Sequence, residues 1–320
     1  MILDKTISKD REKNVSIRKM IEENKQSVSF SNIVETLIPK ILLIIAVISI
    51  LTTAGILITL LAETIEFFKD VPFIEFFTGT VLKPLGENAQ FGVLPLLMGT
   101  FMSSIIAMIV AIPIGLMTAI YLSEYASEKV RRIVKPILEI LAGIPTIVYG
   151  FFALTFVTPI LRAIIPELDP TNILSPGIVM GIMIIPMVAS LSEDALSAVP
   201  NAMREGALGL GATKLEVTWK VVVPAAISGI VASFVLGISR AIGETMIVTI
   251  ASGSSKNFTF DLTQSMQTMT AYIVEVTGGD APAGSTLYYS LYAVAMTLFV
   301  FTLIMNLIAQ YISRKFREEY

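Results

Sequence analysis

Residues 94–121 read LPLLMGTFMSSIIAMIVAIPIGLMTAIY, without a single charged side chain. A helix of about 20 apolar residues spans the ~30 Å hydrocarbon layer of a bilayer, so this stretch is long enough to cross one. Five further stretches are nearly as apolar, at approximately 38–61, 136–160, 175–191, 223–251 and 286–311. The sequence therefore predicts an all-α polytopic membrane protein with six transmembrane helices, of which the fourth is short.

The composition supports a membrane protein and excludes several kinds of chemistry. Of the 320 residues, 54% are hydrophobic and 15% are charged, whereas charged residues make up about a quarter of a typical soluble domain. The chain has no Cys and no His. It therefore cannot build a disulfide, a thiolate nucleophile, a His-based acid–base catalyst or a His/Cys metal site. We predict no metal, and nothing indicates nucleic-acid binding.

The distribution of Lys and Arg predicts the topology, because cytoplasmic loops are enriched in these residues. Seventeen of them fall in the segments 1–36, 122–135, 192–222 and 312–320. Four fall in the alternating loops, which are 62–93, 161–174 and 254–285. We expect both termini in the cytoplasm. The predicted parts are a cytoplasmic N-terminal tail (1–36), a transmembrane domain (37–315) and a cytoplasmic C-terminal tail (316–320).

Two segments outside the spans leave alternatives open. The tail 1–36 has mixed charge and lacks a leading apolar run, so it is not a cleavable signal peptide but a cytoplasmic helix or a flexible tail. The extracytoplasmic loop 62–93 is acidic and contains five phenylalanines, Phe67, Phe68, Phe73, Phe76 and Phe77. They can form an amphipathic helix at the membrane interface or a folded cap over the bundle.

The segment 192–222 predicts two short helices joined by a glycine bend. Pro200 suits the first position of a helix, and Gly209 and Gly211 can end it. Lys214 to Val222 can form the second helix. An apolar stripe at helical spacing supports the first helix: Leu196, Val199, Met203, Ala207 and Leu210. Such a projection can dock on a partner or lie on the membrane surface.

A glycine-rich run within this segment does not bind nucleotide. Gly206 to Lys214 fits neither G-x-x-x-x-G-K-[ST] nor G-x-G-x-x-G, and no βαβ unit surrounds it. Any ATP must be hydrolysed by another subunit, and this chain is not itself predicted to be an enzyme.

The fifth span carries a charged pair, Arg240 and Glu244. A central Arg costs roughly 2.5–3.5 kcal/mol on insertion scales, so such residues normally face the interior or water. In one straight helix Arg240 lies about 25 Å beyond Val223 at 1.5 Å per residue, and Glu244 lies one turn further on the same face. The pair either offers its guanidinium to an oxyanion in transit or fixes helix packing. Glu139, one turn from Lys135, is interpreted as a snorkelling or locally paired group.

The 192–222 segment contains a recognisable motif. Glu205-Gly206-Ala207, then Gly211, then Val221-x-Val223-Pro224 resembles the EAA loop of ABC-importer permeases, whose pattern is E-A-A, three residues, G, nine residues and I-x-L-P. Both spacings are met. The resemblance implies the type I importer permease fold and a coupling helix that inserts into a cytoplasmic ATPase, with Glu205, Gly206, Ala207 and Gly211 as the coupling residues.

Further runs make the chain similar to the permeases of phosphate-specific ABC importers, in particular the PstC type. They are Phe76-Phe77-Thr-Gly79-Thr, Phe91-Gly-Val-Leu-Pro95, Tyr121-Leu-Ser-Glu-Tyr125, Lys135-Pro-Ile-Leu-Glu139, Leu141-Ala-Gly-Ile-Pro145, Val148-Tyr-Gly-Phe-Phe152, Glu193-Asp194-Ala-Leu and Ser239-Arg240-Ala-Ile-Gly243-Glu244-Thr245-Met246. Together they cover roughly 60–315.

This resemblance implies a set of partners and a substrate path. The partners are a homologous, PstA-like permease, two copies of an ATPase that binds ATP–Mg, an extracytoplasmic phosphate-binding protein and membrane lipid. Ser239, Arg240, Glu244 and Thr245 would belong to the phosphate path, in the plasma (inner) membrane of a prokaryote. The mechanism would be alternating access.

Alternatives to this expectation differ in substrate or in class. Another oxyanion, such as sulfate, molybdate or phosphonate, is the alternative cargo. An intramembrane enzyme would need a catalytic constellation that the spans lack. A docking scaffold would not explain charge at mid-depth.

Overall fold

The computed structural model describes the backbone of residues 2–86, 88–279 and 281–315. Side chains are described for 35, 37–86, 88–279, 281–308, 310 and 311. The predicted tail 316–320 lies outside these residues. The chain divides into two compact units, Met1–Thr59 and Leu60–Tyr320.

The first unit consists of the greater part of one long helix. This helix, α1 (Ile2–Asp70), has 69 residues and continues into the second unit. The backbone of residues 2–36 of the predicted tail is therefore helical. Within α1, Leu37–Asp70 is long and apolar enough to cross a membrane.

The second unit is almost entirely helical. Its helices are α2 (Phe73–Thr78), α3 (Leu94–Ile120), α4 (Glu128–Ala142), α5 (Thr146–Phe152), α6 (Thr158–Ile164), α7 (Leu174–Ser197), α8 (Asn201–Gly209), α9 (Lys214–Val217), α10 (Val223–Ala225), α11 (Ile227–Ile242), α12 (Met246–Ala251), α13 (Met269–Gly278) and α14 (Thr286–Lys315). π-Helical turns extend three of them, at Tyr121–Tyr125, Ala153–Val157 and Thr218–Val222. The strands β1 (Leu82–Lys83) and β2 (Gln90–Phe91) form a small antiparallel hairpin.

The described helices include five that are long and apolar enough to cross a membrane, and a bent pair brings the number to six. The predicted span count is thus compatible with the fold, but several predicted boundaries are wrong. The third span begins at Thr146, because Gly143 and Pro145 end α4 before it. The fourth span is not short: α7 continues to Ser197.

The fifth predicted span is not one straight helix. Lys214–Ala225 and Ile227–Ile242 meet at an angle of 69°, and a second break follows α11 at Gly243. The straight-helix distance of 25 Å from Val223 to Arg240 therefore does not apply. A hydropathy pattern alone does not show either break, because the 223–251 stretch remains apolar on average across both.

The core of the second unit is the packing of α3, α7 and α11. Gly181 of α7 lies so close to α3 that a Cβ built there would be 2.7 Å from the carbonyl oxygen of Ala107. Gly229 of α11 lies directly against Ala195 of α7. Small residues at such contacts let helix backbones approach closely in a membrane. Gly237 of α11 likewise lies close to Met108 of α3 and Ile184 of α7, whereas Gly243 ends its helix.

The segment 62–93 is a folded cap. Phe67 and Phe76 are almost completely buried and pack edge-to-face against each other, with Phe91 against Phe67. The same cluster includes Tyr272 of α13. This packing supports the folded cap of the two predicted arrangements, while Phe73 remains 62% exposed and contact of α2 with the membrane interface stays a prediction.

Candidate functional site

A cavity of about 560 Å³ lies between α3, α4, α7 and α11. Its lining includes Leu122, Lys135, Glu139, Met183, Pro186 and Arg240. Apolar side chains make up most of the wall, so the charged groups are few and stand out. Arg240 reaches the cavity from the last turn of α11, which packs against α3 and α7.

The Arg240 guanidinium is available to a ligand. Its side-chain contact is a weak hydrogen bond from Nη2 to the sulfur of Met183, at 3.7 Å. Within the described part of the chain, Arg240 forms no ion pair. A guanidinium presents a planar fork of donors that matches the oxygen atoms of phosphate or carboxylate. The arrangement can therefore bind an oxyanion.

Glu244 does not pair with Arg240, contrary to the sequence-based expectation. Gly243 ends α11, so the two residues no longer lie one turn apart on one helix. Glu244 is only 7% exposed, and its Oε1 accepts hydrogen bonds from the backbone N–H groups of Met246 (3.1 Å) and Ile247 (3.4 Å). The carboxylate thus satisfies donors at the start of α12 that have no partner within that helix.

The other two predicted path residues contact neighbouring segments. The hydroxyl of Ser239 donates to Oδ1 of Asn306 and links α11 to α14. Thr245 donates to the carbonyl oxygen of Gly243 at 3.3 Å within the break. Of the four predicted residues, Arg240 is therefore the one that lines the cavity.

Sequence reading missed a buried charge cluster beside the cavity. Glu193 of α7 is completely buried and pairs with both Arg131 and Lys135 of α4. Ser197 donates to Glu193 Oε1 at 3.0 Å. Lys135 also approaches Asp194 at 3.5 Å. The predicted local pair of Lys135 with Glu139 is wrong, since Lys135 turns to α7 and Glu139 lines the cavity as an exposed group.

The sequence contains only an indirect indication of this charge cluster. Glu193 follows an apolar run directly, and the basic residues of the preceding amphipathic helix recur on one face at Arg131 and Lys135. A carboxylate at a span end needs a cation if it is buried. The sequence does not show that it is buried.

The 192–222 loop has the predicted helix–turn–helix form. Pro200 precedes α8, and Gly211 adopts φ = +89°, a backbone conformation that favours glycine. Thr213 and Glu216 then form a reciprocal capping box that starts α9.

The apolar stripe on this loop is only partly correct. Leu196 and Val199 are buried, and Met203 and Ala207 are half-buried. Leu210 caps the end of α8 and is 91% exposed. Glu205, Gly206 and Gly211 are exposed as well, so the predicted coupling residues lie mainly on the free face of the loop.

The second unit, with the short helical hairpin of 192–222 between two spans, has the fold of ABC importer permeases. A solved structure of a bacterial ABC transporter involved in import of the acidic polysaccharide alginate matches with a TM-score of 0.58, 15% identity, 83% of this chain and 90% of that chain covered. The methionine ABC transporter MetNI in inward-facing conformations matches with a TM-score of 0.53 and 19% identity, covering 71% and 95%. These similarities concern the fold alone.

Residues 111–318 match the family described as binding-protein-dependent transport system inner membrane component, and the chain belongs to that family. A relative from Mesorhizobium japonicum, the phosphate transport system permease protein PstC, is 32% identical over 83% of this chain and 86% of its own length. The protein of that name from Haemophilus influenzae is 31% identical over 89% and 95%. The probable ABC transporter permease protein YqgH of Bacillus subtilis is 30% identical over 84% and 88%. The similarity to PstC-type permeases is thus confirmed.

Proposed function

We propose that this chain is one of two membrane-spanning subunits of an ABC importer that moves inorganic phosphate into the cytoplasm of a prokaryote by alternating access. Relatives that match it over most of their length are named phosphate transport system permease proteins. Another oxyanion, such as sulfate, molybdate or phosphonate, is the alternative cargo, because one guanidinium does not by itself distinguish among oxyanions.

The observation that carries this proposal is the guanidinium of Arg240, which forms no ion pair with the residues that the structure describes and lies on the wall of a largely apolar cavity. Hydrogen bonds from a charged donor to phosphate are roughly twice as strong as neutral ones. A single cation without a carboxylate partner can hold the anion and still release it. Lys135 lines the same cavity, but its charge is largely neutralised by Glu193 and Asp194. It would therefore attract the anion only weakly as the anion leaves the cavity.

The proposed assembly has four further subunits. A homologous, PstA-like permease completes the membrane path, and an extracytoplasmic phosphate-binding protein delivers the anion. Two copies of an ATPase bind ATP–Mg, and the loop that exposes Glu205, Gly206 and Gly211 inserts its coupling helix into a cleft of the ATPase. The excess of Lys and Arg in alternate segments supports cytoplasmic termini, and membership of a family of inner membrane components supports a plasma-membrane location.

A competition experiment tests the cargo. The complex with its partners is reconstituted in proteoliposomes, and ATP-dependent uptake of labelled phosphate is measured with unlabelled phosphate or sulfate as competitor. We expect competition by phosphate and little by sulfate. The reverse result would assign the alternative cargo, and a complex that accumulates none of phosphate, sulfate, molybdate and phosphonate would refute an oxyanion importer.

Glu244 tests whether the break after α11 is part of the path or only a helix cap. Glu244→Gln keeps an oxygen that can accept the Met246 and Ile247 N–H groups but removes the charge, whereas Glu244→Ala removes both. If the charge acts in transport, both variants lose uptake. The alanine variant alone is also less stable, by about 1 kcal/mol, as for loss of an N-terminal cap. Uptake assays and thermal unfolding measure the two effects, and a Gln variant with normal uptake would leave Glu244 a purely structural role.

Gly211 tests the loop that docks the ATPase. Valine at this position must adopt the left-handed conformation at a cost of about 1–2 kcal/mol, which would displace α9 from α8. We expect Gly211→Val, or a charged substitution there, to lower phosphate uptake several-fold while ATP hydrolysis continues, a state of uncoupling. Gly209→Val is the matched control, since Gly209 has ordinary φ and open space around it. Unchanged uptake and unchanged ATPase stimulation in Gly211→Val would contradict the expectation.

A further inference from the structure

Arg204 of α8 is the most extensively bonded cation in the described part of the 192–222 loop. Its Nη2 donates to Glu124 Oε1 at 2.9 Å, and its Nε lies 3.3 Å from the same oxygen. The side chains of Arg204 and Glu124 are 17% and 7% exposed. This ion pair is therefore largely withdrawn from solvent, unlike the surface pair of Lys220 with Glu216 on the same loop.

The same guanidinium also holds the end of α7. Nη2 donates to the carbonyl oxygen of Leu196 at 2.7 Å, and Nη1 donates to that of Val199. The last carbonyl groups of a helix have no partner within it. Arg204 supplies such partners from outside α7, and a further contact to Asn201 Oδ1 lies at 3.4 Å. One side chain thus connects α8 to the ends of two membrane-spanning helices.

The carboxylate that pairs with Arg204, that of Glu124, lies in an unusual turn at the end of α3. Glu124 lies in the π-helical turn Tyr121–Tyr125, which extends α3 beyond Ile120. π-Helical turns occur frequently at functional sites. Here the neighbouring Ser123 also donates to Glu124 Oε1, at 3.1 Å. Leu122, in the same turn, lines the cavity that contains Arg240.

The helices held by Arg204 are the ones that form the cavity wall. α3 continues into the turn that contributes Leu122, and α7 contributes Met183 and Pro186. Arg204 itself adjoins Glu205, the first residue of the exposed coupling motif. A charged contact therefore links the loop to the helices of the cavity wall, in addition to the apolar packing of Met203 and Ala207 against the ends of α3 and α7.

We propose that Arg204 is a positioning residue that couples movement of the 192–222 loop to α3 and α7 through Glu124 and the carbonyl groups of Leu196 and Val199. This inference rests on the proposed function, in which an ATPase moves the loop. When α8 shifts, the hydrogen bonds of the Arg204 guanidinium move the ends of α3 and α7 with it, and the cavity wall changes shape. Without this contact, movement of α8 reaches α3 and α7 only through the short 198–200 connection and the apolar packing of Met203 and Ala207.

The test uses Arg204→Met and Glu124→Gln in the complete complex in proteoliposomes. ATP hydrolysis and phosphate uptake are measured on the same preparation and expressed as phosphate transported per ATP hydrolysed. We expect each variant to retain at least half of the ATPase activity and to lose at least tenfold in phosphate transported per ATP. The double variant should transport as much phosphate per ATP as Arg204→Met alone, because both changes remove the same contact between Arg204 and Glu124.

Controls separate this role from simple structural support and from docking. Arg132→Met makes the same chemical change at an exposed position on α4 and should leave the ratio unchanged. Arg204→Lys keeps the charge but not the fork of donors, so it should transport more phosphate per ATP than Arg204→Met and less than the wild type. Parallel loss of ATPase activity and uptake in Arg204→Met, or an unchanged ratio, would overturn the inference. A wild-type complex that transports no oxyanion would instead refute the proposed function on which it rests.

Discussion

Replacing Arg240 by glutamine is expected to abolish phosphate uptake while the complex still assembles. Glutamine removes the charge from the cavity but retains a polar side chain that can reach into it. Hydrogen bonds to a charged group contribute about 1.5–3 kcal/mol each, so the loss of two such bonds corresponds to at least a hundredfold fall in uptake. Assembly should persist because Arg240 forms no ion pair within the described part of the chain.

Two matched variants make this result interpretable. Arg240→Lys keeps the charge but loses the planar fork, and we expect it to retain a small part of the uptake. Arg162→Gln makes the identical change in the last turn of α6, at an exposed position away from the cavity, and should transport normally. Labelled-phosphate uptake and co-purification of the subunits measure the two properties. Normal uptake by Arg240→Gln would return this residue to a structural role.

Replacing Glu193 by glutamine is expected to destabilise the subunit by about 3 kcal/mol. This value lies at the lower end of the range for breaking a buried ion pair. The reason is that Arg131 and Lys135 are 30% and 33% exposed, so solvent compensates part of the loss. In the variant, the two cations face a neutral amide in place of the carboxylate. The thermal unfolding midpoint of the purified complex and its yield from membranes measure the effect.

The adjacent acid provides the control for this experiment. Asp194 also approaches Lys135, but its side chain is 63% exposed, and Asp194→Asn should change the unfolding midpoint little. Adding Lys135→Met to Glu193→Gln should recover part of the stability, since it removes one of the uncompensated cations. A Glu193→Gln variant as stable as the wild type would show that this cluster does not hold α4 to α7.

The apolar runs predicted most of the architecture because long uncharged helices have few alternatives in a bilayer. The helix–turn–helix form of the 192–222 loop also followed from local signals, since Pro200 and Gly211 constrain the backbone wherever they occur. The break at Gly243 did not follow, because glycine is common in membrane helices and does not by itself end one. This one residue separated Arg240 from Glu244 and made the i, i+4 interpretation of the pair wrong.

The charge contacts were hidden for a different reason. Glu193 finds its cations on α4, and Arg204 finds its carboxylate at the end of α3. Neither partner is a sequence neighbour, so periodicity along one helix cannot identify them. Arg204 therefore counted only as one more basic residue of a cytoplasmic segment, although its guanidinium holds the ends of two helices.

The exposed leucine at the end of α8 offers an experimental handle. Leu210 is 91% exposed, and the chain contains no cysteine. A Leu210→Cys protein would carry a single thiol, so a maleimide fluorophore would label it at one known position without removing native residues first. Energy transfer from that dye to one on the ATPase would follow the separation of the two subunits during turnover, in real time and on single molecules.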